Sequence, residues 1–349
     1  MRTQLMSWRS LFIVAASAVL TVVAIDVTVR LVWAPHHLEE VADAVERYRT
    51  SDPTVLVLGS SHARTFSVVG RRLYERTAGS ERILAVPLEW GKLTGYAWVL
   101  ENRLRPLIEE RRRDGSRVRP SLARFVLVTE WWDSCAPVGL EWNIPSRAWT
   151  TSHFLDDVAR HGYNSYNRNV VYSWFTSALR ASTLVSDRGQ GRVRTSLKRA
   201  LRGAGPRAEE EDYRARTEGW QRMVESGESC IAHDAQMKAL SRILDYAQGA
   251  GLETTLLLYP RKPATLTDAA KQGTLAHFHD IVEVVAQERG IRLVDMTTNN
   301  PLSDDDYAAD FDHVTPDGNE KLARWALDGP LRFLERPAVR TARNREVLP

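Results

Sequence analysis

The chain has 349 residues, of which 43% are hydrophobic and 26% are charged, and its formal net charge is +3. These fractions are ordinary for a globular protein and exclude a wholly disordered chain. The net charge is too small to indicate nucleic-acid binding, and no Walker loop or dinucleotide-binding glycine motif follows a predicted strand.

The first 34 residues are predicted to form a cytoplasmic stub and a membrane signal anchor. Arg2 and Arg9 precede an apolar run over 11–25, and Trp33 follows as an aromatic anchor. The run is shorter than the ~20 residues of a typical spanning helix, and a cleaved signal peptide or a buried core helix is the alternative. We prefer the anchor because no convincing cleavage site follows the run. It places the chain from about residue 35 outside the cytoplasm.

Apolar patterning predicts strands that alternate with helices. The predicted strands cover 55–58, 82–86, 125–129, 253–258 and 291–295. The predicted helices cover 35–50, 65–76, 96–112, 233–250, 274–289 and 319–334. This alternation indicates one α/β domain over 35–336, built on a parallel sheet flanked by helices.

A long region without strong strands separates the third and fourth strands. We predict a mainly helical insertion over about 134–229 and a basic, disordered tail over 337–349. Cys135 and Cys230 flank the insertion. Outside the cytoplasm they can form one disulfide, although two unpaired buried thiols fit the sequence nearly as well.

The first strand ends in Gly59-Ser60-Ser61, just before the helix predicted over 65–76. A serine there lies at the carboxyl end of a parallel strand, where open α/β sheets bind ligands. It also lies near a helix N-terminus, whose N–H groups favour negative charge. Capping of the helix is the plain structural alternative for these hydroxyls.

An acid and a base that match this serine lie near the end of the domain. Asp310 and His313 are three residues apart, so a turn can bring them to one side. The predicted roles are nucleophile for Ser61, general base and acid for His313, and orienting carboxylate for Asp310. A plain surface turn is the alternative. The two motifs at opposite ends of an α/β chain favour catalysis, and they imply no metal or organic cofactor.

These motifs resemble those of the SGNH/GDSL hydrolase family over roughly residues 52–335. The resemblance rests on the Gly-x-Ser turn after the first strand, glycines after the second, and Asp-x-x-His before the last helix. It implies a flavodoxin-like three-layer fold in which Ser61 is the nucleophile beside Asp310 and His313. It also implies an oxyanion hole formed by the Ser61 N–H, a glycine N–H of the second block and an asparagine side chain of the third.

The chain departs from the family in its third sequence block, Glu130-Trp131-Trp132-Asp133, which directly follows the third strand. Trp132 stands there in place of the asparagine. Its indole N–H would have to replace the amide as an oxyanion donor. Gly91 and Gly95 both fit the second-block donor by spacing, and we favour Gly91. Trp131 follows the third strand, where its ring can bind the face of a sugar, with core packing as the default alternative. His62 is near enough to the serine turn to contact substrate, with a solvated or core histidine as its alternative.

The loosened motifs and the predicted anchor are similar to those of membrane-anchored family members, the alginate O-acetylation proteins and the D-alanyl transfer protein DltD. The resemblance implies an extracytoplasmic esterase or O-acyltransferase that acts on acyl esters, with acetyl favoured, of an envelope glycan or an acylated small substrate. The implied partners are the lipid bilayer and a membrane-bound O-acyltransferase, with no nucleic acid. The missing asparagine leaves an alternative: a catalytically weak accessory protein in a polysaccharide modification or export complex.

Overall fold

Five parallel strands form the centre of the structure, a computed structural model that describes residues 36–88, 91–110, 120–134, 234–263, 269–308 and 313–335, with isolated residues elsewhere. The strands are β1 (Val55–Gly59), β2 (Ile83–Pro87), β3 (Arg124–Thr129), β4 (Glu253–Leu258) and β5 (Arg292–Asp295). Their order is β2-β1-β3-β4-β5, and every pairing is parallel. This is the flavodoxin-like order, so the predicted α/β parallel sheet is confirmed.

Helices flank the sheet on both faces. They are α1 (His36–Ser51), α2 (Thr65–Arg76), α3 (Leu93–Val99), α4 (Arg105–Ile108), α5 (Asp234–Gly249), α6 (Ala269–Arg289) and α7 (Pro316–Asp328). A π-helical turn, Leu100–Leu104, joins α3 to α4. Short 3₁₀ turns cover Ser61–Arg64, Trp131–Ser134, Asp304–Asp306 and Arg332–Glu335.

Successive residues of each strand point into two separate cores, because side chains alternate across a sheet. Leu56 and Leu58 pack with α1, α3, α5 and α6 on one face. Val55 and Val57 pack with α2 and α7 on the other face. All four side chains are fully buried, which explains why β1 reads as a continuous apolar run.

The prediction of one regular helix over 96–112 is wrong, because the observed helix starts earlier and is not regular. Helix α3 begins at Leu93, so Gly95 lies in the helix and not in a loop. The π-helical turn then interrupts the α-helical pattern before Pro106, whose ring cannot follow a regular α-helical turn without strain.

The final helix is displaced from its predicted bounds of 319–334. It begins at Pro316 because the Thr315 side chain caps it, accepting a hydrogen bond from the Gly318 N–H at 3.1 Å. It ends at Asp328, before Gly329. The next residue is Pro330, which has no N–H to continue the helix.

Several predicted regions lie outside the described residues, apart from Ser134 and isolated positions. They are the signal anchor, the insertion with Cys135 and Cys230, and the tail. Within the part of the chain that the structure describes, no helix is long and apolar enough to cross a membrane.

Candidate active site

The serine turn is shaped by the close approach of β1 to β3. A Cβ on Gly59 would lie 2.8 Å from the Val128 carbonyl oxygen, so only glycine fits at the end of β1. Ser60 follows in an extended conformation, and its Oγ accepts the His62 N–H at 3.3 Å. The predicted capping role therefore applies to Ser60. Ser61 begins the 3₁₀ turn that leads directly into α2.

His313 contacts the nucleophile that the sequence predicts. Its Nε2 lies 2.7 Å from Ser61 Oγ, and this contact joins residues 252 positions apart. The Ala308 N–H donates to the His313 carbonyl at 2.7 Å, and this hydrogen bond fixes the backbone of His313. With the ring proton on Nδ1, Nε2 can accept the serine proton.

Asp310 lies outside the described residues. Its role as the carboxylate that orients His313 therefore stays a prediction. The described residues on either side of positions 309–312 are joined by an antiparallel bridge between Tyr307 and Val314.

A buried ionic cluster lies beside the serine turn. His62 Nδ1 is 2.9 Å from Ser60 Oγ and 3.4 Å from Glu130 Oε1. Glu130 Oε2 forms an ion pair with Arg261, which follows β4. The His62 ring stacks on Tyr259 with centroids 4.4 Å apart. Ionisable side chains are rarely this buried unless they are paired, and buried clusters of this kind are enriched at functional sites.

A second group of buried polar side chains joins the ends of β2 and β3. The Tyr96 hydroxyl lies 3.0 Å from Asp133 Oδ1, and the other Asp133 oxygen accepts the Glu130 N–H at 3.1 Å. Burial, and then the charge of Glu130, raise the pKa of the Asp133 carboxyl to about 8. Burial also raises the pKa of the Tyr96 phenol, and a hydrogen bond with Ser60 opposes that rise. This group therefore touches the serine turn as well.

Gly91 lies where the prediction places the second-block oxyanion donor, but its N–H donates to the Leu88 carbonyl at 2.8 Å. A Cβ on Gly91 would lie 2.6 Å from the Tyr96 ring and 2.7 Å from the Leu88 carbonyl oxygen, so no side chain fits there. In this structure the Gly91 N–H is used inside its own turn. An oxyanion role requires that turn to open.

The two tryptophans of the third block are buried and packed against cations. The Lys92 ammonium lies 4.1 Å from the Trp132 ring centroid and donates to the Trp132 carbonyl at 3.0 Å. The Arg261 guanidinium lies 5.8 Å from the Trp131 ring centroid. Trp131 and Trp132 are only 8% and 7% exposed, so their roles in substrate binding and as an oxyanion donor stay predictions.

His62 is 2% exposed. Its Nδ1 faces Ser60 and Glu130, and its ring centroid lies 5.7 Å from that of His313. This position favours a role in fixing the serine turn over the predicted contact with substrate.

Sequence reasoning missed the roles of Tyr96, Lys92 and Arg261, and it treated Glu130 and Asp133 only as flanks of the third block. Four of the five, Lys92, Glu130, Asp133 and Arg261, follow a strand within five residues, whereas Tyr96 lies in α3. That position is a usable signal, since the carboxyl ends of parallel strands meet at one edge of the sheet. Among the described residues, no three His, Cys, Asp or Glu side chains are grouped so that they could hold a metal ion.

No protein-family model matches this chain, and no curated protein matches its sequence. The motifs of the chain and the geometry of the site are therefore the only indications of its function.

Proposed function

We propose that this chain is a serine esterase or O-acyltransferase of the SGNH type, with an acyl group carried on Ser61. The observation that carries the proposal is the 2.7 Å contact between Ser61 Oγ and His313 Nε2. A serine hydroxyl becomes a useful nucleophile when a base can remove its proton. The contact lies at the carboxyl edge of a flavodoxin-like sheet, the usual place for a ligand in this architecture.

The proposed reaction has two halves. Ser61 Oγ attacks the ester carbonyl carbon while His313 Nε2 takes the hydroxyl proton. The C–O bond to the alcohol then breaks, and His313 returns the proton to the leaving oxygen, which leaves an acyl-Ser61 ester. Water or an acceptor hydroxyl attacks this ester, His313 takes the new proton and returns it to Ser61, and the acyl group leaves as an acid or as a new ester.

The substrate class rests on the resemblance alone. We propose an acetyl ester of an envelope glycan, or an acylated small substrate, outside the cytoplasm. The predicted signal anchor would hold the domain at the membrane, beside a membrane-bound O-acyltransferase.

The proposal is tested with the full-length chain purified in mild detergent and 4-nitrophenyl acetate as the acyl donor. We expect turnover, and an acetyl adduct on Ser61 by intact mass and peptide mapping, that are lost in Ser61→Ala and in His313→Ala. Ser80→Ala is the matched control, because Ser80 is exposed and bonds only within its own turn. Acetyl transfer to a soluble oligosaccharide, in preference to water, separates a transferase from an esterase.

A catalytically weak accessory protein is the second candidate function. The use of the Gly91 N–H by the Leu88 carbonyl favours it, because loss of one oxyanion donor costs about 10²–10³ in rate. Equal background hydrolysis in the parent chain and Ser61→Ala, with no adduct from either 4-nitrophenyl acetate or acetyl-coenzyme A, would favour this function over catalysis.

A further inference from the structure

The Tyr96 hydroxyl has more acceptors around it than protons to give. It lies 3.1 Å from the Gly91 carbonyl oxygen and 3.0 Å from Asp133 Oδ1. The Ser60 hydroxyl also bonds to it. Tyr96 and Asp133 are both completely buried. A phenol donates one proton and a carbonyl oxygen only accepts, so the direction of each bond can be worked out.

The donor and acceptor of each hydrogen bond can be assigned by starting at His62. Its Nδ1 faces Glu130 as well as Ser60, and Glu130, ion-paired with Arg261, only accepts. Nδ1 therefore carries the ring proton. Ser60 Oγ accepts from this Nδ1 and from the His62 N–H at 3.3 Å, so its own proton is available for the Tyr96 oxygen.

The Tyr96 hydroxyl has one proton to donate, and only one of its two acceptor partners has no proton of its own in any protonation state. The buried Gly91 carbonyl oxygen can only accept, so the phenol donates there. The contact of 3.0 Å between Tyr96 and Asp133 Oδ1 is then a hydrogen bond only if the proton comes from the carboxyl group. The opposite arrangement would leave the buried Gly91 carbonyl without this donor, and a buried acceptor without a donor destabilises the fold.

We propose that Asp133 is a neutral carboxylic acid in the folded protein at neutral pH, and that it acts as a positioning residue for the site. The Asp133 carboxyl group donates to the Tyr96 hydroxyl, and the Tyr96 hydroxyl donates to the Gly91 carbonyl. These two hydrogen bonds hold the backbone at Gly91 beside the serine turn. The other Asp133 oxygen accepts the Glu130 N–H at 3.1 Å, so both ends of the carboxyl group are used.

The charges around Asp133 favour the same protonation state. Glu130 faces it from its own turn, Tyr96 from α3 and His62 from the β1 turn. Burial and the negative charge of Glu130 outweigh the opposing contributions of the hydrogen bonds and of His62, and the resulting pKa is about 8. Above that pH the carboxylate would draw the Tyr96 proton to itself, and the Gly91 carbonyl would lose its donor.

Infrared difference spectra of the full-length chain test the proton assignment without any substrate. Spectra of the parent chain minus Asp133→Asn are recorded at about pH 6 and about pH 10, two units on either side of the pKa of about 8. At the lower pH we expect the carbonyl stretch of a protonated carboxylic acid, shifted in deuterated water and absent from Asp133→Asn. At the higher pH carboxylate bands should replace it. Asp280→Asn is the control, because Asp280 is exposed on α6.

Carboxylate bands in the difference spectrum at about pH 6 would overturn the proposal. Asn is a close mimic of the neutral acid, since its amide can donate to Tyr96 while its oxygen accepts the Glu130 N–H. Should Asp133→Asn not fold, Tyr96→Phe gives the same information. In Tyr96→Phe the carbonyl stretch of the protonated Asp133 side chain should move to higher wavenumber, because the carboxyl proton loses its acceptor. A spectrum without this shift would contradict the assignment.

The catalytic consequence rests on the proposed function. In the parent chain, esterase activity should fall several-fold between about pH 8 and about pH 10, and the fall should be smaller in Asp133→Asn. An equal fall in both chains would contradict the positioning role. Because the spectra need no turnover, a chain without esterase activity can still show the acid band, so the two proposals fail separately.

Discussion

Thr65 Oγ1 lies 2.7 Å from Asn319 Oδ1, and this hydrogen bond joins the first turns of α2 and α7. The same hydroxyl lies 2.7 Å from the Tyr259 hydroxyl at the end of β4. Asn319 Nδ2 in turn donates to the Val314 carbonyl at 3.1 Å, directly after His313. Because α2 follows the Ser61 turn, one buried threonine couples the backbone at Ser61 to the backbone at His313.

Thr65→Val should destabilise the protein and slow catalysis. The change keeps the shape of the side chain but leaves Asn319 and Tyr259 without their shared partner, at a cost of about 1–3 kcal/mol in the free energy of unfolding. A shift of His313 by even 1 Å can lower kcat by about 10²-fold. Urea unfolding and esterase kinetics measure the two effects, with the exposed Thr50→Val as control. Additive effects of Thr65→Val and Asn319→Ala would contradict the proposed coupling.

Gly91→Ala should destabilise the fold through steric overlap. The new methyl group would lie within 2.8 Å of atoms of Tyr96 and Leu88, and such overpacking costs about 1–3 kcal/mol. Gly273→Ala is the matched control, since Gly273 lies in α6 with open space around its Cβ position. There the substitution should stabilise the protein by roughly 0.5–1 kcal/mol. Thermal or urea unfolding distinguishes the two, and equal effects would argue against tight packing at Gly91.

Replacement of either Glu130 or Arg261 alone should lower the free energy of unfolding more than replacement of both together. Each side chain is about 5% exposed, so Glu130→Gln or Arg261→Met leaves a buried charge without its counter-ion, at a cost of about 3–5 kcal/mol. The double variant should recover part of this loss. The exposed pair of Asp234 and Lys238 is the control, and its removal should cost no more than about 1 kcal/mol. Additive losses at the buried pair would show that the two charges act independently.

Stability should fall with rising pH through the titration of Asp133. Its pKa is about 8 in the folded protein against an ordinary 3.8, so between about pH 4 and pH 8 the folded state holds the proton that the unfolded chain has released. The free energy of unfolding therefore decreases with pH across this window. The contribution is complete below about pH 4 and lost above about pH 8. Urea unfolding of the parent chain and Asp133→Asn isolates it, because the difference between them should change with pH. A constant difference would contradict the raised pKa.

Much of the sheet could be predicted because buried parallel strands carry apolar residues on both faces. Strand β4 and helix α2 have the predicted bounds, Glu253–Leu258 and Thr65–Arg76. The course of the chain after β2 could not be predicted, since Gly95 reads as a loop residue. Its place in α3 follows from tertiary packing, which overrides local propensity.

The contact between Ser61 and His313 could be predicted for a similar topological reason. Ser61 follows β1, and His313 lies between β5 and α7, so the topology of a parallel sheet brings them to one edge. The proton order through Tyr96 could not be predicted. A single phenol gives no sign in the sequence of which carbonyl or carboxyl group will face it, and its partners at Gly91 and Asp133 are set by packing between elements.

The order of the site along the chain also determines when it can exist during synthesis. At about 5–20 residues per second, the 252 positions from Ser61 to His313 take roughly 10 to 50 s to translate. Throughout that interval Ser61 lacks its contact with His313. On the proposed function, a nascent chain, or one released by premature termination before residue 313, cannot yet use His313 to activate Ser61. On the proposed function, synthesis therefore delivers the predicted nucleophile well before its predicted base.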